Sequence, residues 1–178
     1  GSLFIYSEEM GWFDFGPDHP FKPERAAKTY DLCNRYGVLN QDWMRVQQPR
    51  SIDPNLLTLF HEPDYLTLLE EAGRGKIRLE MLERGIGTQD NPILPGIYEW
   101  SLLAAGGTQS GMDALMTGSA LVAFNPVGGF HHAMPGYAEG FCYLNDIAVS
   151  IRYALNTSNY KKIAYVDMDA HHGNGVQH

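Results

Sequence analysis

The sequence predicts an α/β fold built on an open, mostly parallel β-sheet flanked by helices. Three observations lead there. Short apolar, partly β-branched runs at 3–6, 44–46, 120–124 and 161–167 alternate with longer stretches of helical character, as strands joined by helices do. The stretch between the last two runs carries a helix, and strand–helix–strand is the expected form of a parallel crossover. Histidines gather after two of the runs, where open α/β sheets hold their ligands; five of the seven lie between 131 and 178. A chain of 178 residues, 44% hydrophobic and 19% charged, is long enough for one domain with a proper core.

The first strand is expected at 3–6. Residues 11–23, rich in Gly, Pro and aromatics, read as an ordered loop whose Trp12, Phe13 and Phe15 either cover the core or form a rim. Pro23 opens a helix to about residue 36, with Gly37 as its stop. A second strand follows at 44–46, then a short helix at Asp53-Pro54 with Asp53 as N-cap. Residues 62–72 read as a helix, and His61 before it as structural. Residues 85–92 form a Gly- and Pro-marked loop containing Asp90, which on its own merits would bond its own turn. A long helix spans 97–116, where Gly106, Gly107 and Gly111 cost propensity and suit close packing on the sheet. The strand at 120–124, the helix at 146–155 and the last strand at 161–167 complete the chain.

Chemistry concentrates at the end. Side chains alternate along a strand, so Asp167, Asp169 and His171 share one face if the last strand persists that far. Two carboxylates this close repel unless a cation or hydrogen-bond donors compensate. Asp oxygen and His nitrogen are ordinary zinc ligands. Gly128-Gly129-Phe130-His131-His132-Ala133 occupies the same position after its own strand.

These segments, with Gly140-Phe141-Cys142-Tyr143-Leu144-Asn145-Asp146 and Asp167-Met168-Asp169-Ala170-His171-His172-Gly173-Asn174-Gly175-Val176 in that order, resemble the motifs of the histone deacetylase family. That family includes bacterial acetoin-utilisation-type deacetylases and acetylpolyamine amidohydrolases. His19-Pro20-Phe21-Lys22-Pro23-Glu24-Arg25 and His61-Glu62-Pro63-Asp64-Tyr65-Leu66 are similar to its earlier motifs, so the likeness covers nearly the whole chain. It implies an arginase/deacetylase-like sheet and zinc-dependent hydrolysis of an N-acetyl amide by metal-activated water. The substrate class that the resemblance implies is acetyl-lysine or a small acetylated amine.

The resemblance also assigns roles. Asp169 and His171 are the metal-ligand candidates, and His131 and His132 the general base and acid candidates, imidazole being suited by its near-neutral titration. Asp167 would accept from His131, and Asn174 stands where some members carry Asp behind the other imidazole. An amide there favours a charged His132 less than a carboxylate would. Phe141 would wall an apolar slot for the acetyl-lysine stem, with Gly140 permitting close approach; Asp90 would clamp the substrate backbone; Arg25 would lie near the floor. Phe141 and Cys142 are otherwise ordinary core types. The family's potassium site is matched in part by Asp167, Asp169 and His171.

A net charge of −8 leaves no basic surplus for phosphates, which argues against direct nucleic-acid binding. Two cysteines give no disulfide framework and suit a reducing compartment. No apolar run approaches a membrane span, Gly1-Ser2 looks like a cloning scar without a signal peptide behind it, and the expected location is cytoplasmic.

Two metal donors are visible where a catalytic zinc has three protein ligands plus water; the family supplies a third ligand, an aspartate, and a carbonyl-polarising tyrosine further along. The chain therefore reads as residues 1–178 of a catalytic domain's N-terminal portion, an apparently truncated sheet whose exposed edge favours self-association. Two alternatives stand beside the hydrolase: an arginase-like dimetal ureohydrolase, and a non-catalytic module that binds acetylated ligands or only assembles.

Overall fold

The computed structural model describes residues 1–178. Its sheet is parallel and three-stranded, β1 (Ser2–Ile5), β2 (Met44–Gln47) and β3 (Val122–Phe124) lying in the order β2-β1-β3. Alternation along β1 explains why it is central. Leu3 and Ile5 are fully buried in a cluster with Ala114, while Phe4 and Tyr6 turn the other way and meet the ring of Tyr30. Each of these side chains contributes roughly 1.5–3 kcal/mol through burial.

Helices follow the strands in the expected pattern. α1 (Glu8–Trp12) comes first, then α2 (Glu24–Arg35), which ends as predicted before Gly37. α3 (Pro54–Leu57) is capped by Asp53, whose carboxylate accepts the Asn55 N–H at 3.0 Å. α4 (Pro63–Gly73) and α5 (Leu79–Glu83) precede the long α6 (Ile97–Met116), and α7 (Asp146–Thr157) and α8 (Asn174–Gln177) follow β3. The glycines of α6 do let it sit close. A Cβ at Gly111 would lie 3.1 Å from both Ile5 Cδ1 and Ala123 Cβ, and one at Gly106 would overlap the Arg50 carbonyl at 1.8 Å.

Two expectations need correction. Residues 8–12 form a short helix, part of it inside the stretch expected to be loop. Its five residues are too few to show a helical period. Phe15 from that stretch is core, Phe13 stacks on Trp100 at 5.3 Å, and Trp12 is 70% exposed. The larger correction concerns the predicted last strand. Residues 161–167 are not a strand: the sheet ends at β3, and the run makes no ladder hydrogen bond. Apolar, β-branched composition gives a segment strand character only when a neighbouring strand accepts its backbone. Here Val166 and Met168 stay 78% and 93% exposed.

Candidate active site

The loop after β3 carries His131 and His132 and is fastened at both ends. At its entry, the buried Asp146 carboxylate accepts the Gly129 N–H at 3.0 Å, the Phe130 N–H at 2.8 Å and the Thr108 hydroxyl. Burial pushes the Asp146 carboxyl upward, and those donors oppose it. At its exit, His61 bridges two backbones. Its Nε2 accepts the Asn145 N–H at 2.9 Å, so its Nδ1 carries the proton and donates to the Pro135 carbonyl at 3.2 Å. Asn145 Nδ2 adds a bond to the Ala133 carbonyl at 2.9 Å. His61 is structural as expected, and burial pushes it down to about 4.

The two imidazoles stand with ring centres 4.1 Å apart and are backed differently. His131 Nδ1 lies 2.7 Å from Asp167 Oδ2, and His132 Nδ1 lies 2.7 Å from Asn174 Oδ1. A carboxylate only accepts, so His131 donates from Nδ1. The Tyr165 hydroxyl donates to the same Asp167 oxygen at 2.6 Å and the Asp169 N–H to the other at 3.0 Å. The Tyr165 bond first, then His131 and the Asp169 amide, hold Asp167 well below the usual carboxylate range. With both Nδ1 atoms engaged behind, the Nε2 edges are left for the cavity.

That cavity holds about 530 Å³ and is lined by His131, His132, Gly140, Phe141, Asp90 and Arg25, with Asp169 and His171 at its edge. Asp167 and Asn174 stand behind the imidazoles. Phe141 is the one non-glycine residue in the left-handed region, at φ +70 beside Gly140 at +54. Gly140 is required twice over, because a Cβ there would come within 2.4 Å of His132 Cδ2. The buried Asn91 brackets the turn: its Oδ1 accepts the Phe141 N–H and its Nδ2 donates to the Cys142 carbonyl, both at 3.3 Å. His19 donates from Nε2 to the Asp90 carbonyl at 3.1 Å and sets its ring 4.8 Å from Phe141. Burial raises the Cys142 thiol to about 12, far from a thiolate nucleophile.

Asp169 and His171 come together outside any strand. Asp169 Oδ1 accepts the His171 backbone N–H at 2.7 Å and faces His171 Nδ1 at 3.0 Å. The His171 N–H, then its ring, lowers the Asp169 carboxyl. These donors are of the right kind for zinc, but no third His, Cys, Asp or Glu stands with them. A three-ligand site is therefore incomplete in this chain.

Sequence reasoning passed over Tyr165, Asn91, Asp146 and Glu139. For Asn91 and Asp146 the signal was a polar residue beside a motif; Tyr165 and Glu139 offered none without the fold.

The profile of the histone deacetylase domain matches residues 19–178. The chain belongs to that family. The acetoin utilization protein AcuC of Bacillus subtilis is 40% identical over 99% of this chain and 45% of its own length. Type-1 histone deacetylase 1 of Dictyostelium discoideum is 34% identical, over 98% of this chain and 35% of its own. Among solved structures, an HDAC homolog from Aquifex aeolicus superposes with a TM-score of 0.89 at 34% identity, covering 99% of this chain and 46% of that one. An HDAC homolog complexed with SAHA gives 0.88. The chain thus spans less than half the length of these relatives.

Proposed function

We propose that residues 1–178 are the N-terminal portion of one deacetylase-like catalytic domain, hydrolysing an N-acetyl amide of lysine or of a small amine with zinc as cofactor. One observation carries the reading: two adjacent imidazoles, each committed at Nδ1 to an acceptor behind it, face one cavity beside an Asp–His donor pair. Asp169 and His171 would hold the ion, which when bound supplies activation of water and polarisation of the acetyl carbonyl.

The chain's own residues do the rest. His131 and His132 exchange protons at Nε2, one taking a proton from water and one giving a proton to the departing amine. Asp167, held ionised by its donors, accepts from His131 Nδ1, whereas a neutral amide oxygen stands behind His132. The two rings are thereby backed unequally, one by a charged acceptor and one by an uncharged one. Phe141 walls the stem of the acylated amine, and Asp90 at the rim accepts an N–H from its backbone. No helix is long and apolar enough to cross a membrane, and a cytoplasmic site of action is part of this proposal.

The exposed Leu121, Val122, Val166 and Met168 favour a second reading, a non-catalytic module that self-associates or binds acetylated ligands. Zinc titration of this chain against a competing chelator, with a parallel assay on acetyl-lysine peptides, separates them. Retention of one ion per chain, abolished by Asp169→Ala or His171→Ala, supports the hydrolase. Binding that neither substitution affects refutes the zinc assignment, no binding means that these two donors alone do not retain the ion, and peptide binding without turnover favours the module.

A further inference from the structure

We infer that Glu139 is a positioning residue that selects the tautomer of His132 by dictating which end of the Asn174 amide faces the ring. The inference rests on the reading that His132 handles protons at this site. An asparagine amide offers a carbonyl at one end and an NH2 at the other, so by itself it can accept from an imidazole or donate to it. Asn174 is not free to choose. Its Nδ2 lies 2.9 Å from Glu139 Oε2 and 3.9 Å from the Met134 thioether. A carboxylate accepts and cannot donate, and a thioether is a weak acceptor, so both neighbours call for the NH2 end. The carbonyl end is left to His132, 2.7 Å from Nδ1.

An oxygen at that distance demands a hydrogen on Nδ1. The neutral ring then has its lone pair on Nε2, the atom turned to the cavity, and is poised to accept a proton. Were the amide reversed, its NH2 would donate to Nδ1, the proton would sit on Nε2, and the ring could only donate into the cavity. Position is held as well as protonation: a Cβ on Gly140 would reach His132 Cδ2 at 2.4 Å, and the His131 ring lies on another side at 4.1 Å. Glu139 touches neither the cavity nor His132 in these contacts; it acts through Asn174 alone. It is exposed, so its replacement leaves the core intact.

The test is nitrogen NMR of His132 in the 15N-labelled 178-residue chain, at a pH where imidazole is neutral, with the signal assigned by loss in His132→Gln. Neither zinc nor substrate is needed. The wild type is expected to be Nδ1–H by at least about tenfold, as a charge-assisted hydrogen bond one step behind would impose. Glu139→Gln, which can still accept through its amide oxygen, should keep that form. Glu139→Ala should release the amide and bring the two tautomers within a few-fold, and Glu139→Lys, a donor, should reverse the ratio. The other histidines report whether each variant is folded. A wild type dominated by Nε2–H, or Glu139→Ala and Glu139→Lys both indistinguishable from it, overturns the inference. Because the readout is independent of turnover, an Nδ1–H ring that Glu139→Lys reverses upholds this inference even where zinc binding is unaffected by Asp169→Ala and His171→Ala, the result that refutes the zinc assignment.

Discussion

Acidification charges a side chain that the fold keeps neutral. His61 is 3% exposed, its Nε2 accepts a backbone N–H from Asn145, and burial sets it at about 4 against an ordinary 6.5. A proton on Nε2 would turn an acceptor into a donor pointed at another donor. The folded value lies below the unfolded one, so the native state binds fewer protons in this window. The contribution is complete above about 6.5 and is lost as the pH falls towards 4. The slope of one proton is roughly 1.4 kcal/mol per pH unit, which gives about 2 kcal/mol lost by pH 5 and about 3 kcal/mol in all. That is a sizeable part of the 5–15 kcal/mol typical of a domain. Urea unfolding at about pH 7.5 and about pH 5 measures it, with His61→Gln removing the titrating ring. The variant starts lower at the higher pH but should lose about 2 kcal/mol less on acidification than the parent. Equal losses in the two proteins would refute the assignment of the acid sensitivity to His61.

Gly140→Ala places a methyl against His132 at a backbone angle of +54; it should cost about 1–3 kcal/mol and displace the ring, seen as a lower urea midpoint and an altered His132 NMR signal. Asp146→Asn turns an NH2 towards the Gly129 or Phe130 N–H and should cost about 1–3 kcal/mol by leaving a buried donor unsatisfied, again read from the midpoint; an unchanged midpoint would deny Asp146 its fastening role. Asn174→Asp, made together with Glu139→Gln so that no second carboxylate faces it at 2.9 Å, puts a charge 2.7 Å from His132 Nδ1. It should move the His132 titration, followed by NMR, to higher pH than in the parent, and an unmoved curve would show that the contact does not govern the ring.

Much of this organisation was legible because it is local. The helix at 97–116 has its observed limits in the sequence, since twenty residues of small and apolar character ending near Gly118 carry their own period and stop. The Asp53 cap and the Gly37 stop are decided within one turn of chain. The motif resemblance brought nine site candidates to one region, seven on or at the cavity and Asp167 and Asn174 behind it. What escaped depends on partners distant in sequence. Residues 161–167 have strand composition, but pairing is a property of two segments and composition belongs to one. Asn91 and Phe141 are 50 residues apart, and Glu139 and Asn174 are 35 apart. Neither pair announces itself by type, because each contact is a single hydrogen bond whose existence the fold decides.

The bracket that Asn91 places around Phe141 and Cys142 makes the rim and the wall of the cavity one mechanical part. The same loop carries Asp90, whose carbonyl is tied to His19, and the His19 ring rests against Phe141. A left-handed Phe costs energy wherever it occurs, so this wall holds its shape only while the bracket is closed. Width of the slot and placement of the rim therefore rise and fall together: a change in residues 85–92 that loosens one loosens the other. Hydrogen exchange should register this as a shared opening free energy for the Asn91 and Phe141 amides.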